Sequence, residues 1–194
     1  PEALREAGYA TAHCGKWHVG EFDRAYWPMQ RGFEHAYGLR ADNNQHAHRL
    51  SGGDDLQRDE KPCADEGWRT DLLTREAVRL IEQRDPARPV FLYLAYHAPH
   101  TPLECPPQYS KPYAHLGPTR GIYAGMIAEM DEGIGRVVAA VEKAGIRDST
   151  LILFASDNGG LTVKGDIARN TPLRAGKGSL YEGGVRVVAF ANWP

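Results

Sequence analysis

Four places in the 194 residues carry side chains able to do chemistry on an anion. The first is Ser156-Asp157-Asn158-Gly159-Gly160. Asp157 and Asn158 set two hard oxygen donors side by side, and the two glycines let the backbone turn sharply around whatever they hold. Taken alone, Asp-Asn-Gly-Gly is more often an Asx-type turn closing a strand. The second is Cys14-Gly15-Lys16-Trp17-His18, in which an extended backbone would put Lys16 and His18 on one side. An ammonium supplies charge to an anion and an imidazole moves a proton. On these residues alone a solvated loop is the better reading. The third is His97-Ala98-Pro99-His100-Thr101-Pro102, two histidines in a proline-stiffened loop, suited either to proton transfer or to capping the turn through their rings. The fourth is a polar loop over 161–179, where Arg174 and the glycine-flanked Lys177 can approach an anion closely. Its spacing is not that of a Walker motif. The pairs His46/His48 and Asp54/Asp55 look like metal ligands but read as solvated loop residues.

These loops need elements to position them. Leu151-Ile152-Leu153-Phe154-Ala155 is a continuous apolar run, which predicts a strand covered on both faces in a parallel sheet. Asp157 then stands at its carboxyl end, where ligands of open α/β sheets sit. Residues 1–8 read as the end of a helix stopped by Gly8, and Tyr9 to Gly15 as a short strand. Residues 21–68 are poor in aliphatic side chains and read as a long irregular loop region. Thr70 is a candidate N-cap for an amphipathic helix over 71–84, with Leu73, Ala77, Leu80 and Ile81 as its apolar stripe. Val90 to Tyr96 reads as a second core strand. Tyr123, Ile127, Met130, Ile134, Val137 and Val141 predict a long helix over 120–144, closed by Gly145, with Met126 and Met130 in the core. Gly125, Gly133 and Gly135 each cost that helix up to ~1 kcal/mol relative to alanine, which close packing on the sheet would offset. Strand, helix and strand then make a right-handed βαβ unit. Tyr181 to Gly184 reads as a tight turn and Val185 to Phe190 as the last strand.

Composition narrows the function class. With 42% hydrophobic and 25% charged residues, the chain can build one sizeable core. A formal charge of −2 gives no footprint for nucleic acid. No apolar run approaches the roughly 20 residues of a membrane span. Cys14, Cys63 and Cys105 are spaced too irregularly for a zinc site and read as ordinary thiols, with a disulfide left open. The chain starts at Pro1 inside a helical pattern and stops at Trp193-Pro194 after a strand, so both ends read as cut.

Five blocks together resemble the sulfatase family, its arylsulfatase-like members and the N-acetylgalactosamine-4-sulfatase type above all. They are Gly8-Tyr9-Ala10-Thr11 through Gly15-Lys16-Trp17-His18; Phe91-Leu92-Tyr93-Leu94 through Ala98-Pro99-His100-Thr101-Pro102-Leu103; Tyr123-Ala124-Gly125-Met126 through Met130-Asp131-Glu132; Ser156-Asp157-Asn158-Gly159-Gly160; and Pro172-Leu173-Arg174 through Lys177-Gly178-Ser179-Leu180-Tyr181-Glu182-Gly183-Gly184-Val185-Arg186. Each is weak alone. In this order they are specific, and they cover most of the chain outside 21–68.

The resemblance implies an alkaline phosphatase-like α/β/α sandwich around a mostly parallel sheet, incomplete at both ends, with 1–194 a partial catalytic domain. It implies hydrolysis of sulfate monoesters, aryl or carbohydrate, with one calcium ion and a formylglycine nucleophile made from a C/S-x-P/A-x-R motif. By the same resemblance Asp157 and Asn158 are two of the calcium ligands. Lys16 holds the formylglycine and the sulfate, and His18 is the base on the formylglycine diol. His100 stands beside the ester oxygen and Lys177 on that same oxygen. The implied partner is a small-molecule or glycan sulfate ester, and the implied compartment is periplasmic, secreted or lysosomal.

The chain also departs from the pattern. It holds no C/S-x-P/A-x-R, and Asp54-Asp55 follows the Lys16 block where the family's first Asp pair precedes it. The expectation is a catalytic-domain fragment, inactive alone, whose nucleophile and first Asp pair lie upstream. Within the superfamily, an Asn after the Asp favours calcium over the zinc of two-metal phosphatases. A phosphodiester or phosphonate ester hydrolase, or a non-catalytic anion-binding relative, remains the alternative.

Overall fold

The structure, a computed structural model, describes residues 1–20, 22–39, 49–50, 53–54, 56–162 and 167–194. His46, His48 and Asp55 lie outside the described residues, and Asp54 is described as backbone only, so neither metal-like pair can be placed. In chain order the elements are α1 (Glu2–Glu6), β1 (Ala10–Gly15), β2 (His35–Leu39), β3 (Arg49–Leu50), β4 (Gly53–Asp54), β5 (Leu56–Arg58), β6 (Lys61–Pro62), α2 (Arg69–Glu82), β7 (Val90–Ala95), α3 (Pro107–Ser110), α4 (Pro118–Lys143), β8 (Ile152–Ala155), α5 (Glu182–Val185) and β9 (Ala189–Asn192). The class is α/β, as expected, with a mixed central sheet in the order β6-β5-β2-β1-β7. Its inner pairs β1–β2 and β1–β7 are parallel, and β5 and β6 add antiparallel edge strands.

The side chains of β1 alternate between two layers. Cys14 faces Tyr37, Leu56, Leu72 and Leu73, a cluster that seats α2 on the sheet. Full burial of a side chain such as Leu73 stabilises by roughly 2 kcal/mol. On the other face, His13 packs against the rings of Trp17, Phe33 and Tyr93 at 5.2, 5.5 and 5.6 Å. The helix stripe read from the sequence is present in α2, where Leu73, Ala77 and Ile81 are buried. Its start lies earlier than expected. Trp68 occupies the N-cap position and Thr70 is buried inside the first turn.

Several expectations are corrected. The region 21–68 is not simply irregular. It supplies β2, whose Tyr37 is among the most buried side chains, together with β3 to β6. The predicted stripe of α4 holds only in part: Met126 and Val141 are buried and Val137 packs on the core, but Ile127 is 38% exposed. Gly121, Gly125 and Gly133 lie on the buried side too, and a Cβ on Gly133 would sit 2.5 Å from Thr74 Oγ1. The glycines let α4 approach its neighbours more closely than any side chain would. Strand β8 does not complete a βαβ unit with β7. It pairs antiparallel with β9, and Phe154 stacks on its cross-strand partner Phe190 at 4.8 Å. It is not covered on both faces either, because β9 is its one ladder partner among the described residues and Leu153 stays 70% exposed. The last strand is 189–192, and Val185 ends a short helix. The three cysteines are free thiols, Cys14 fully buried.

A charged network ties β2 and β5 to α2. The buried Glu76 carboxylate takes Arg58 at 3.1 Å and also pairs with Arg79. His35 Nδ1 lies 2.8 Å from Asp59 and its Nε2 lies 2.9 Å from Glu76. Burial alone would raise the Glu76 pKa, but His35, Arg79 and Arg58 overcome it and hold the carboxyl well below the usual carboxylate range.

Two buried histidines make the fold acid-sensitive. Burial lowers His13 from 6.5 to about 4, opposed by its bond to Lys16 and reinforced by His35. Between those values the unfolded chain binds the proton and the folded chain does not, so stability is complete above pH 6.5 and falls as pH drops towards 4. The full loss from His13 is on the order of 3 kcal/mol. His97 is also lowered and adds in the same direction. Urea unfolding at pH 7 and pH 5 is expected to show the loss, with a smaller slope in His13→Phe; an unchanged slope contradicts the assignment.

Candidate active site

The parallel pairing of β1 and β7 brings two of the four candidate loops to one edge of the sheet. Gly15 pairs with Ala95, and the Lys16 amide donates to the Ala95 carbonyl at 2.8 Å. The residues after both strands therefore leave the sheet together. Gly15 is required here. Its φ is 120°, and a Cβ would lie 1.9 Å from Ala95 O. Below Lys16, His13 Nε2 lies 3.1 Å from the Lys16 carbonyl, which can only accept, so His13 donates and braces the start of the loop.

His18 is exposed with φ of 52°, so the segment is not extended at that point and the simple alternation of Lys16 and His18 does not hold. After β7, the His100 amide donates to His97 O at 2.8 Å and closes a turn. His100 Nδ1 lies 2.6 Å from Thr101 O. The carbonyl accepts, so Nδ1 carries the hydrogen and, in the neutral ring, Nε2 carries the lone pair. The capping role read from the sequence is thus present for His100 Nδ1. His97 is 4% exposed, and its Nδ1 has no hydrogen-bond partner among the described residues. Burial first, then Arg69, Lys16, His100 and His13, push its pKa well down and keep it neutral.

The other two candidate loops meet at the end of β8. Ser156 Oγ donates to Asn158 O at 2.9 Å, and Gly159 N donates to Gly184 O at 2.9 Å. The Gly159 position is filled by backbone, since a Cβ would lie 1.7 Å from Gly183 O. Asn158 Nδ2 donates to Gly159 O at 3.2 Å, which turns the amide so that its oxygen is the remaining polar atom. Lys177 N donates to Gly160 O at 3.1 Å, so the segment carrying Lys177 is pinned two residues beyond Asn158.

An ion pair links the two halves. Lys16 Nζ lies 3.9 Å from Asp157 Oδ2. Three sequence candidates, Lys16, Asp157 and Asn158, thereby fall in one neighbourhood. His100 is near enough to His97, and His97 to Lys16, for their charges to be felt. Arg69, 5% exposed at the start of α2, belongs to the same cationic environment and was not singled out by sequence reasoning. Nor was His13. A charged residue four positions before an apolar helical stripe, and a histidine inside an apolar strand, are the signals that could have marked them.

The Asp157 carboxylate is 72% exposed and Asn158 follows it in the same turn, so these residue types suit two ligands of a hard cation. Among the described residues no group of three His, Cys, Asp or Glu side chains is placed to hold a metal. The pair is a partial donor set for an ion that takes about 6–8 oxygens.

Comparison with known proteins identifies the family. Residues 1–194 match the family described as Sulfatase. The chain is 34% identical to arylsulfatase J of Mus musculus over 204 residues, spanning all of this chain and 34% of that protein. It is 30% identical to the N-acetylgalactosamine-6-sulfatase of Homo sapiens, again over its whole length and 39% of that protein. The crystal structure of Ps i-CgsB, in complex with k-i-k-neocarrahexaose, superposes with a TM-score of 0.91 at 36% identity, covering all of this chain and 46% of that one. A PsFucS1 sulfatase from Pseudoalteromonas sp. gives 0.80 at 27%, covering 99% of this chain and 44% of that one. The chain thus spans less than half the length of these relatives. Among the described residues no helix is long and apolar enough to cross a membrane.

The Lys16–Asp157 pair separates function from stability. An ion pair at 3.9 Å with a carboxylate 72% exposed contributes at most about 1 kcal/mol. Asp157→Asn is therefore expected to shift the urea-unfolding free energy by less than about 1 kcal/mol. A shift of several times that would mark Asp157 as a structural residue.

Proposed function

The chain belongs to the sulfatase family, and on that premise we propose that residues 1–194 are part of the catalytic domain of a sulfuric ester hydrolase. The observation that carries the reading is the 3.9 Å approach of Lys16 to Asp157, which joins the β1–β7 loops to the β8 loop around one anion-sized neighbourhood. The substrate class is a sulfate monoester, with a sulfated glycan favoured by the oligosaccharide bound to the related Ps i-CgsB.

A sulfate monoester carries one negative charge. Lys16 and Lys177 bind its oxygens and stabilise the charge that builds as the S–O bond breaks. Asp157 and Asn158 would be two ligands of a calcium ion, which when bound would add positive charge at the sulfate; a formylglycine outside residues 1–194 would supply the nucleophile. Sulfur exchanges its bond to the ester oxygen for one to the nucleophile's oxygen, and the leaving oxygen takes a proton. Protonated on both nitrogens, His100 delivers it from Nε2, with Nδ1 fixed on Thr101 O so that the ring keeps its orientation. Lys177 holds the same oxygen while it is still anionic. His18, exposed at the end of the Lys16 loop, removes the proton that resets the nucleophile.

The test uses the full-length enzyme and an aryl sulfate. Asp157→Ala is expected to abolish calcium binding by calorimetry together with turnover. His100→Ala should keep calcium binding and lower kcat by about 10²–10⁴. Turnover unaltered by Asp157→Ala would falsify the assignment.

A further inference from the structure

The segment that carries Lys177 runs from β8 to α5 with no strand or helix of its own among the described residues. One side chain ties its two ends together. Asn170 Oδ1 accepts from Gly160 N at 3.0 Å, and Asn170 Nδ2 donates to Gly160 O at 2.9 Å and to Ala175 O at 3.1 Å. Gly160 O also accepts from Lys177 N at 3.1 Å. A single amide therefore spans the residue two places after Asn158 and the residue two places before Lys177. The fit leaves no spare room. A Cβ on Gly160 would lie 3.0 Å from Asn170 Oδ1, and one on Gly176 would lie 2.6 Å from Asn170 Nδ2. Beyond it, Gly183 N donates to Arg174 O at 2.8 Å, and the Arg174 guanidinium sits 3.6 Å over the Tyr181 ring.

We infer that Asn170 is a positioning residue for Lys177, setting where the ammonium stands relative to the Asp157–Asn158 turn. The inference rests on the reading of Lys177 as the group on the leaving oxygen. The side-chain type matters because the site asks for one acceptor and two donors within a short reach. Only an amide provides them. Aspartate would set a carboxylate against two carbonyl oxygens, alanine leaves Gly160 N and Ala175 O to find new partners, and glutamine is one methylene too long for the gap.

The chemistry supplies a readout that a purely structural role would not move. Lys177 stabilises negative charge on the leaving oxygen. Its displacement therefore costs more when the leaving alcohol is a weak acid, as in an alkyl or sugar sulfate, than when it is nitrophenol. A loss of folded protein lowers both substrates alike. In the full-length enzyme, Asn170→Ala is expected to lower kcat on an alkyl sulfate by about 10²-fold, the scale of a misplaced reacting group, and on 4-nitrophenyl sulfate by several-fold less. Lys177→Ala should give the same pattern, and the double variant should be no worse than Lys177→Ala, because the two act as one unit. If Asn170→Ala does not fold, Asn170→Ser, which keeps one hydrogen-bonding group, takes its place in the comparison. Equal losses on both substrates, or additive losses in the double variant, overturn the proposal. An impaired Lys177→Ala enzyme beside an indifferent Asn170→Ala overturns it alone. An indifferent Lys177→Ala overturns the role of Lys177 and this proposal with it.

Discussion

The site depends on how closely β1 can approach its two parallel neighbours at its carboxyl end. Gly15 lies where a side chain would collide with Ala95 O, and a Cβ on Gly38 of β2 would come 2.4 Å from Gly15 O. Two glycines thus let three strands converge, and the convergence delivers Lys16 and the His97–His100 loop to the same edge. The cost is that of placing glycine in strands, which is roughly 0.5–1 kcal/mol each relative to alanine in a strand that would tolerate it. These positions would not tolerate it, so the local propensity gives way to the needs of the site.

The same edge gathers more positive than negative charge. Lys16 and Arg69 are cationic there, and Lys177 is carried to the adjoining β8 turn, while His13 and His97 are held neutral by burial. Neutral imidazoles add hydrogen-bonding capacity without adding repulsion. An unmatched buried ring nitrogen such as His97 Nδ1 costs on the order of 1–3 kcal/mol, a strain that an arriving partner would relieve. An arrangement of fixed cations and a carboxylate–amide pair suits a singly charged tetrahedral anion better than a neutral ester.

Much of this was legible in the sequence because it depends on local pattern. The stripe of Leu73, Ala77 and Ile81 and the apolar run from Val90 located α2 and β7 within a few residues. The Asp157 turn was placed correctly at a strand's end. Other features depend on partners far along the chain. Strand β2 hides in a polar stretch because its burial comes from β1, β5 and α2, not from its own apolar content. The buried face of α4 joins Met126 and Val141 to Gly121, Gly125 and Gly133, and a hydrophobic period cannot register the glycines. The antiparallel partner of β8 lies beyond the whole Lys177 loop, and an apolar run does not reveal the direction of its neighbour. Asn170 was visible as a residue but not as a clamp, because its three bonds are made to backbone atoms.

The central claim is that the two groups of loops form one site built for sulfate esters. The most direct measurement is the ratio of turnover by the full-length enzyme on 4-nitrophenyl sulfate and on a 4-nitrophenyl phosphonate monoester, which share charge and leaving group. The account predicts that the sulfate is strongly preferred and that chelating calcium removes its turnover. A preference for the phosphonate, or sulfate turnover indifferent to calcium, would contradict it.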